Sequence, residues 1–234
     1  MKKLIITALI LLSYQADAQI KAVTDEGKEV VLFDNGTWKF VNESDAAVLE
    51  TITTNDKLFI KDNNATFLFR SKRLNSGLYV NPKVWKITDA FKAPFLEFAF
   101  INSNNYNIYG IFTSENVEIA TLKNLKDILI GTVQSRADYF KLKECEYRTV
   151  NGLKVIYINY MANSKGMDFE YMTYAFLNEN GYCTVSSYCA SKSFEQLKPE
   201  MEKFINGLVE TKKTETVEVY ETPPPPPAKI KSKN

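Results

Sequence analysis

Apolar and polar residues alternate along this chain in two different periods, one fitting strands and one fitting helices. Between residues 20 and 41 the period is two. It predicts short strands at 20–23, 29–33 and 37–41, with Asp25-Glu26-Gly27 and Asp34-Asn35-Gly36 as the turns. Asn and Gly accept the positive φ that tight hairpin turns need. Such a meander is too small to be stable alone and is expected to dock on something larger. Residues 42–56 carry Glu43, Asp45, Glu50 and Asp56 without a basic residue and read as a linker.

The body spans residues 57–210. Strands are expected at 66–69, at 78–87, at 95–101 and at 106–112, the last two joined by the polar turn Asn102-Ser103-Asn104-Asn105. Pro82 lacks an amide donor, so its strand starts there or sits at an edge. Leu122, Leu125, Ile128, Leu129 and Val133 recur in steps of three and four, which predicts a helix over 121–137. Four strands come next, at 140–150, 153–161, 168–177 and 182–190. Asn151-Gly152 turns the first pair and Asn178-Glu179-Asn180-Gly181 the last. A second helix is expected over 194–209, its apolar face built from Leu197, Met201, Phe204, Ile205 and Leu208, with Ser193 as N-cap. The fold class is therefore α+β: an antiparallel β-sheet with two main helices packed on it, plus a small N-terminal three-stranded meander.

Two resemblances attach to these residues. Gly27, Val30, Leu32, Asn35, Gly36, Thr37, Trp38 and Phe40 resemble a short G-T-W module found at the N-termini of exported bacterial proteins. The body, through Pro82, Trp85, Asn151-Gly152, Phe194, Phe204 and Gly207-Leu208, resembles the PsbP-like superfamily over about 150 residues. That resemblance implies an α/β/α sandwich and a binding or assembly role without catalysis. It carries no catalytic residue set over to this chain.

The two ends have a different composition. Lys2 and Lys3 precede an apolar run over residues 4–12, and Ala16-Asp17-Ala18 fits a small-x-small cleavage site. The run is far short of the about 20 residues a membrane span needs, so it reads as a secretory signal over 1–18. At the other end, residues 211–234 read as a disordered tail around five consecutive prolines, 223–227, followed by Lys229, Lys231 and Lys233. Removing the signal takes two lysines and one aspartate from 29 basic and 28 acidic residues, and the remaining chain is formally neutral. Neutrality argues against nucleic acid or an anionic membrane as partner.

The chain contains no histidine, which removes His-based triads, His-metal sites and the usual general base near neutral pH. Cys145, Cys183 and Cys189 do not have zinc spacing. Cys183 and Cys189 lie on one strand about 20 Å apart and cannot bond to each other. Cys145 could pair with one of them only from an adjacent strand. Glu97, Asp168 and Glu170 remain as carboxylate candidates, Asp168 and Glu170 sharing a strand face at about 7 Å, a spacing an inverting glycosidase would allow. Alternating acids on a strand are more often its solvent face. Tyrosines crowd the meander, and Tyr157, Tyr160, Tyr171 and Tyr174 are the candidate contacts for a peptide, glycan or lipid-like ligand, with Pro223 and Pro225 as candidates in the tail. No cofactor is expected. Together these features point to an exported binding or assembly factor of the bacterial envelope, non-enzymatic, with another envelope protein or peptide as partner. The alternatives are a histidine-independent carboxylate hydrolase and an interaction protein acting through its proline tail.

Overall fold

A computed structural model of the chain describes residues 20–23, 29–32, 38–40, 51–93 and 95–213. The expected signal segment and the tail prolines, Pro223 and Pro225 included, lie outside the described residues. The chain divides into two units, one up to Thr53 and one from Thr54 onward. In the first, β1 (Ile20–Val23), β2 (Glu29–Leu32) and β3 (Trp38–Phe40) form an antiparallel sheet in sequence order. The register sets Leu32 opposite Ile20 on one side and Trp38 on the other.

In the second unit six strands precede the first helix: β4 (Thr53–Phe59), β5 (Phe67–Arg70), β6 (Ser76–Val80), β7 (Trp85–Ile87), β8 (Leu96–Asn102) and β9 (Tyr109–Glu115). Helix α1 is Leu122–Gln134. Then come β10 (Tyr139–Val150), β11 (Leu153–Ser164), β12 (Met167–Asn178) and β13 (Gly181–Ala190), helix α2 (Phe194–Ile205), and a short β14 (Leu208–Glu210). Eight strands make one sheet in the order β4-β10-β11-β12-β13-β9-β8-β7, and β14-β6-β5 make a second, smaller one. The architecture is α+β, with a helix on each face of the large sheet.

Turn chemistry sets the meander. Asn151 and Gly152 have φ of 49° and 84°, the left-handed pair a two-residue hairpin requires, and Lys165 and Gly166 repeat it at 53° and 77°. The second pair carries β11 three residues past the end expected from alternation and starts β12 one residue earlier. Asn151 does more than turn the chain. Its Nδ2 donates to the carbonyls of Asn206 and Leu208, and its Oδ1 accepts from the amide of Lys61.

Four expectations need correction. The span 78–87 is not one strand: β6 ends at Val80, Pro82 lies in a turn, and β7 begins at Trp85 in the other sheet. Strand β4 begins at Thr53, inside the span read as linker. Its sequence shows no apolar alternation, and only Phe59 is buried along it. Pairing at the sheet edge beside β10, with Asn55 Nδ2 donating to Glu146 at 3.1 Å, holds it instead. Helix α2 stops at Ile205 and not at 209. Gly207 brings the backbone hard against the Tyr79 carbonyl, where any Cβ would collide, and Leu208 then pairs with Leu78 as strand. Ser193 makes no side-chain cap; it ends a 3-10 turn, Ser191–Ser193, that feeds directly into α2.

Side-chain parity assigns the faces. Phe112, Val185, Tyr174 and Tyr157 stand in one row across β9, β13, β12 and β11 by register. They belong to the core that α2 and β6 close, together with Trp85, Phe100, Met201 and Phe204. Phe204 is its centre: its ring lies 4.2 Å from Trp85 and 5.4 Å from Phe100, directly over Gly110. Burying a side chain of that size contributes about 2–3 kcal/mol. On the opposite face α1 crosses β10, β11 and β12, with Leu125 and Ile130 buried and Thr121 capping its start by accepting from the Asn124 amide.

Candidate functional site

The carboxylates named from sequence are held by neighbours. Glu97 Oε1 accepts from the Ser71 hydroxyl at 2.7 Å, the Ser114 hydroxyl at 2.5 Å and the Lys72 amide at 3.2 Å, with Arg73 at 3.6 Å. Glu170 is buried, one oxygen 2.5 Å from Lys143 Nζ and the other 3.2 Å from Asn159 Nδ2. Asp168 Oδ1 accepts from Asn163 Nδ2 at 2.6 Å. Two strands, β13 and β9, separate Glu170 from Glu97. The three do not converge on a common space.

The tyrosines divide by parity. Tyr157 and Tyr174 are fully buried, so the expectation that they contact a ligand is corrected. Tyr157 lies under the Arg148 guanidinium at 3.4 Å, and the Tyr174 hydroxyl donates to Asn206 Oδ1 at 3.0 Å. Burial raises the Tyr174 hydroxyl to about 12 and keeps it protonated. Tyr160 and Tyr171 are half-buried on the α1 face, where Tyr160, Tyr171, Tyr188 and Tyr109 stand side by side across four strands. Their centroids are 4.8, 4.9 and 5.2 Å apart and their planes within 24° of parallel. Tyr171 thus has Tyr160 and Tyr188 on its ring faces, and Tyr160 has Tyr171 stacked on it and the Phe140 ring at 5.6 Å. The three cysteines are buried and form no disulfide among the described residues. Cys145 on β10 is three strands from Cys183 and Cys189 on β13, which excludes the pairing that adjacency would have permitted.

A cleft of about 330 Å³ opens beside α2, on the face opposite α1. Four segments build it: residues 62–65 after β4, the Asn81–Val84 turn between β6 and β7, the β8–β9 loop, and the outer side of α2. Its apolar floor comes from Val84, Trp85, Ile108, Leu197 and Phe204. Its polar lining includes five asparagines, Asn64, Asn81, Asn102, Asn104 and Asn105, with Asp62, Glu200 and Lys203.

The turns fix which way the asparagines point. Asn81 Oδ1 accepts from the Lys83 amide at 3.0 Å, and Asn105 Oδ1 from the Asn107 amide at 3.1 Å. Asn102 Oδ1 accepts from the amides of Asn104 and Asn105, both at 2.9 Å. Each oxygen is committed to an Asx turn, which leaves the amide nitrogen as the outward group. Asn102 is only 2% exposed, and its Nδ2 has no partner among the described residues. Polar atoms sealed without a partner among those residues are Ser76 Oγ, the Tyr157 hydroxyl and Ser191 Oγ. The Asn102 nitrogen is therefore not sealed, and the space it reaches is the cleft that Asn102 lines. Glu200 and Lys203 pair at 2.6 Å, and that bond holds the lysine above its ordinary value. With Asp62, the charged lining is net negative by one.

Sequence reasoning saw the Asn102-Ser103-Asn104-Asn105 run only as a turn. The signal it missed was the repeat of asparagine in two turns, one before the tryptophan strand β7 and one after its paired strand β8. Among the described residues no group of acids and cysteines is arranged to hold a metal ion, and no helix is long and apolar enough to cross a membrane.

No protein family model and no curated protein matches the sequence. Among solved structures the chain is similar to PsbP of the cyanobacterium Synechocystis sp. PCC 6803, at 13% identity and a TM-score of 0.48, over 62% of this chain and 91% of that one. It is similar to PA94 of Pseudomonas aeruginosa at 11% identity and a TM-score of 0.45, over 63% and 98%. It is similar to LpqN of Mycobacterium tuberculosis, described as involved in cell envelope biogenesis, at 13% identity and a TM-score of 0.42, over 58% and 83%.

Proposed function

We propose that this chain is an exported, non-enzymatic binding factor of the bacterial envelope that works by holding a ligand in the cleft beside α2. The observation that carries the reading is the lining: a buried Asn102 amide turned toward the cleft above an apolar floor, in a volume typical of small-ligand sites. The signal-like first eighteen residues support export. The absence of histidine and the engagement of Glu97, Asp168 and Glu170 by neighbouring donors favour contact over turnover. The cleft is preferred to the Tyr160–Tyr171 stack because the stack's ring faces are already covered.

The test is native mass spectrometry of the purified protein after incubation with an envelope extract. It is run beside Asn104→Trp, a substitution at an exposed position on the rim that would block the mouth. The expected result is a bound small molecule retained by the parent and absent from the variant. Retention by both, or by neither, would overturn the cleft as the working site.

A further inference from the structure

The cleft's hydrogen-bonding groups specify more than a binding role. Resting on the reading of the cleft as the working site, we propose that its ligand is a neutral saccharide. The amide nitrogens of Asn81, Asn102 and Asn105 are donors turned outward, because each partner oxygen is committed to a backbone amide. Asp62 and Glu200 supply acceptors in the same lining. A ligand that meets both must accept and donate at closely spaced atoms, and a hydroxyl does both through one oxygen. Net negative charge in the lining disfavours phosphate, sulfate and carboxylate ligands. The floor of Val84, Ile108 and Trp85 suits the C–H face of a sugar ring, with Trp85 offering only part of its indole because Phe204 covers the rest.

A peptide added as a strand would need unpaired backbone groups at the cleft wall. The lining loops have few. The Asn81 carbonyl takes the amides of Val84 and Trp85, the Asn105 carbonyl takes that of Ile108, and the Asp62 carbonyl takes that of Ala65. The Ser103 amide donates to Val84, and the Asn102 amide to the Ile108 carbonyl. What remains to read a ligand is side chains, which suits a compact ring over an extended chain.

The experiment uses tryptophan emission. The chain has two tryptophans, so Trp38→Phe leaves Trp85 as reporter. Diacetylchitobiose and maltose are titrated as probes, with an acetylated and amidated Ala-Gly-Ala peptide as rival. The expected result is a saturable change with at least one saccharide, weakened about tenfold or more by Asn102→Asp. That variant keeps the turn's acceptor oxygen, and in place of the outward donor it puts a negatively charged acceptor. Should it not fold, as judged by near-ultraviolet circular dichroism, Glu200→Gln takes its place, with binding expected to weaken about fivefold. Saccharides that leave Trp85 unchanged, or a variant that binds like the parent, would sink the proposal. A response to the peptide alone would remove the saccharide and leave the cleft as a binding site. Cleavage of a bound saccharide would keep the ligand class and overturn the non-enzymatic reading.

Discussion

Burial governs the reactive residues of this chain one by one. Desolvation raises the Cys145 and Cys189 thiols to about 11 and the Cys183 thiol to about 12. At pH 8 a thiol at about 11 is thiolate to roughly one part in a thousand, so its attack on a disulfide reagent is slow. The native protein should therefore react with Ellman's reagent only over hours, and release three equivalents promptly in guanidinium chloride. Fast reaction of even one thiol in the folded state would contradict the buried positions. Sequence could not distinguish a cysteine inside from one at a rim, because strand alternation gives the face and not what covers it. For the same reason Tyr157 and Tyr160 were legible as facing opposite ways, while the cover over each face was not. That depended on where α1 and α2 fold back, which is long-range information.

At the level of elements, the contact of α2 with the sheet depends on a missing side chain. A Cβ at Gly110 would collide with the Phe204 ring, which is held from its other sides by Trp85 and Phe100. Gly110→Ala should cost about 1–3 kcal/mol through overpacking, read as a lower midpoint in urea at unchanged slope. Gly110→Ala combined with Phe204→Leu should recover part of that loss, because the smaller side chain frees the space. The helices and the meander strands were readable because each has a clean period and a strong turn dipeptide. Strand β4 was not, since its sequence Thr-Thr-Asn-Asp-Lys-Leu-Phe alternates in nothing and takes its conformation from the edge it pairs with. The cleft was legible only in pieces. Asn81, Asn102 and Asn105 each announce a turn, but their assembly around α2 comes from the order β9-β8-β7, with β6 in a separate sheet.

Across the whole body, one charged network ties distant segments together. The Arg148 guanidinium lies between the rings of Phe59 and Tyr157, at 4.6 and 3.4 Å, and its Nε donates to Glu146 at 2.7 Å. Glu146 in turn accepts from Asn55 on β4. Burial works to raise the Glu146 carboxyl, but the hydrogen bonds from Arg148 and Asn55 outweigh it and hold the group below its ordinary 4.5. A carboxyl lowered in the folded state stabilises above its unfolded value, and that stabilisation is lost as pH falls through the folded value. The melting temperature should hold down to about pH 5 and then fall toward pH 3, with a shallower fall in Glu146→Gln. Equal slopes in parent and variant would remove Glu146 from the acid response. Arg148→Met leaves Glu146 without its cation and should destabilise by about 3 kcal/mol, measured by chemical denaturation.

Strand β14 sets how the body meets whatever lies beyond it. Three residues pair with β6, Leu208 is sunk in the core, and the chain leaves past Asn75, which accepts from the amides of Thr211 and Lys213. A mechanical load applied through later residues would arrive first at those two hydrogen bonds and then at Leu208. The weak outer clasp would yield before the buried leucine did, so a tug on the C-terminal end would be absorbed locally while the eight-stranded sheet and the cleft stayed intact.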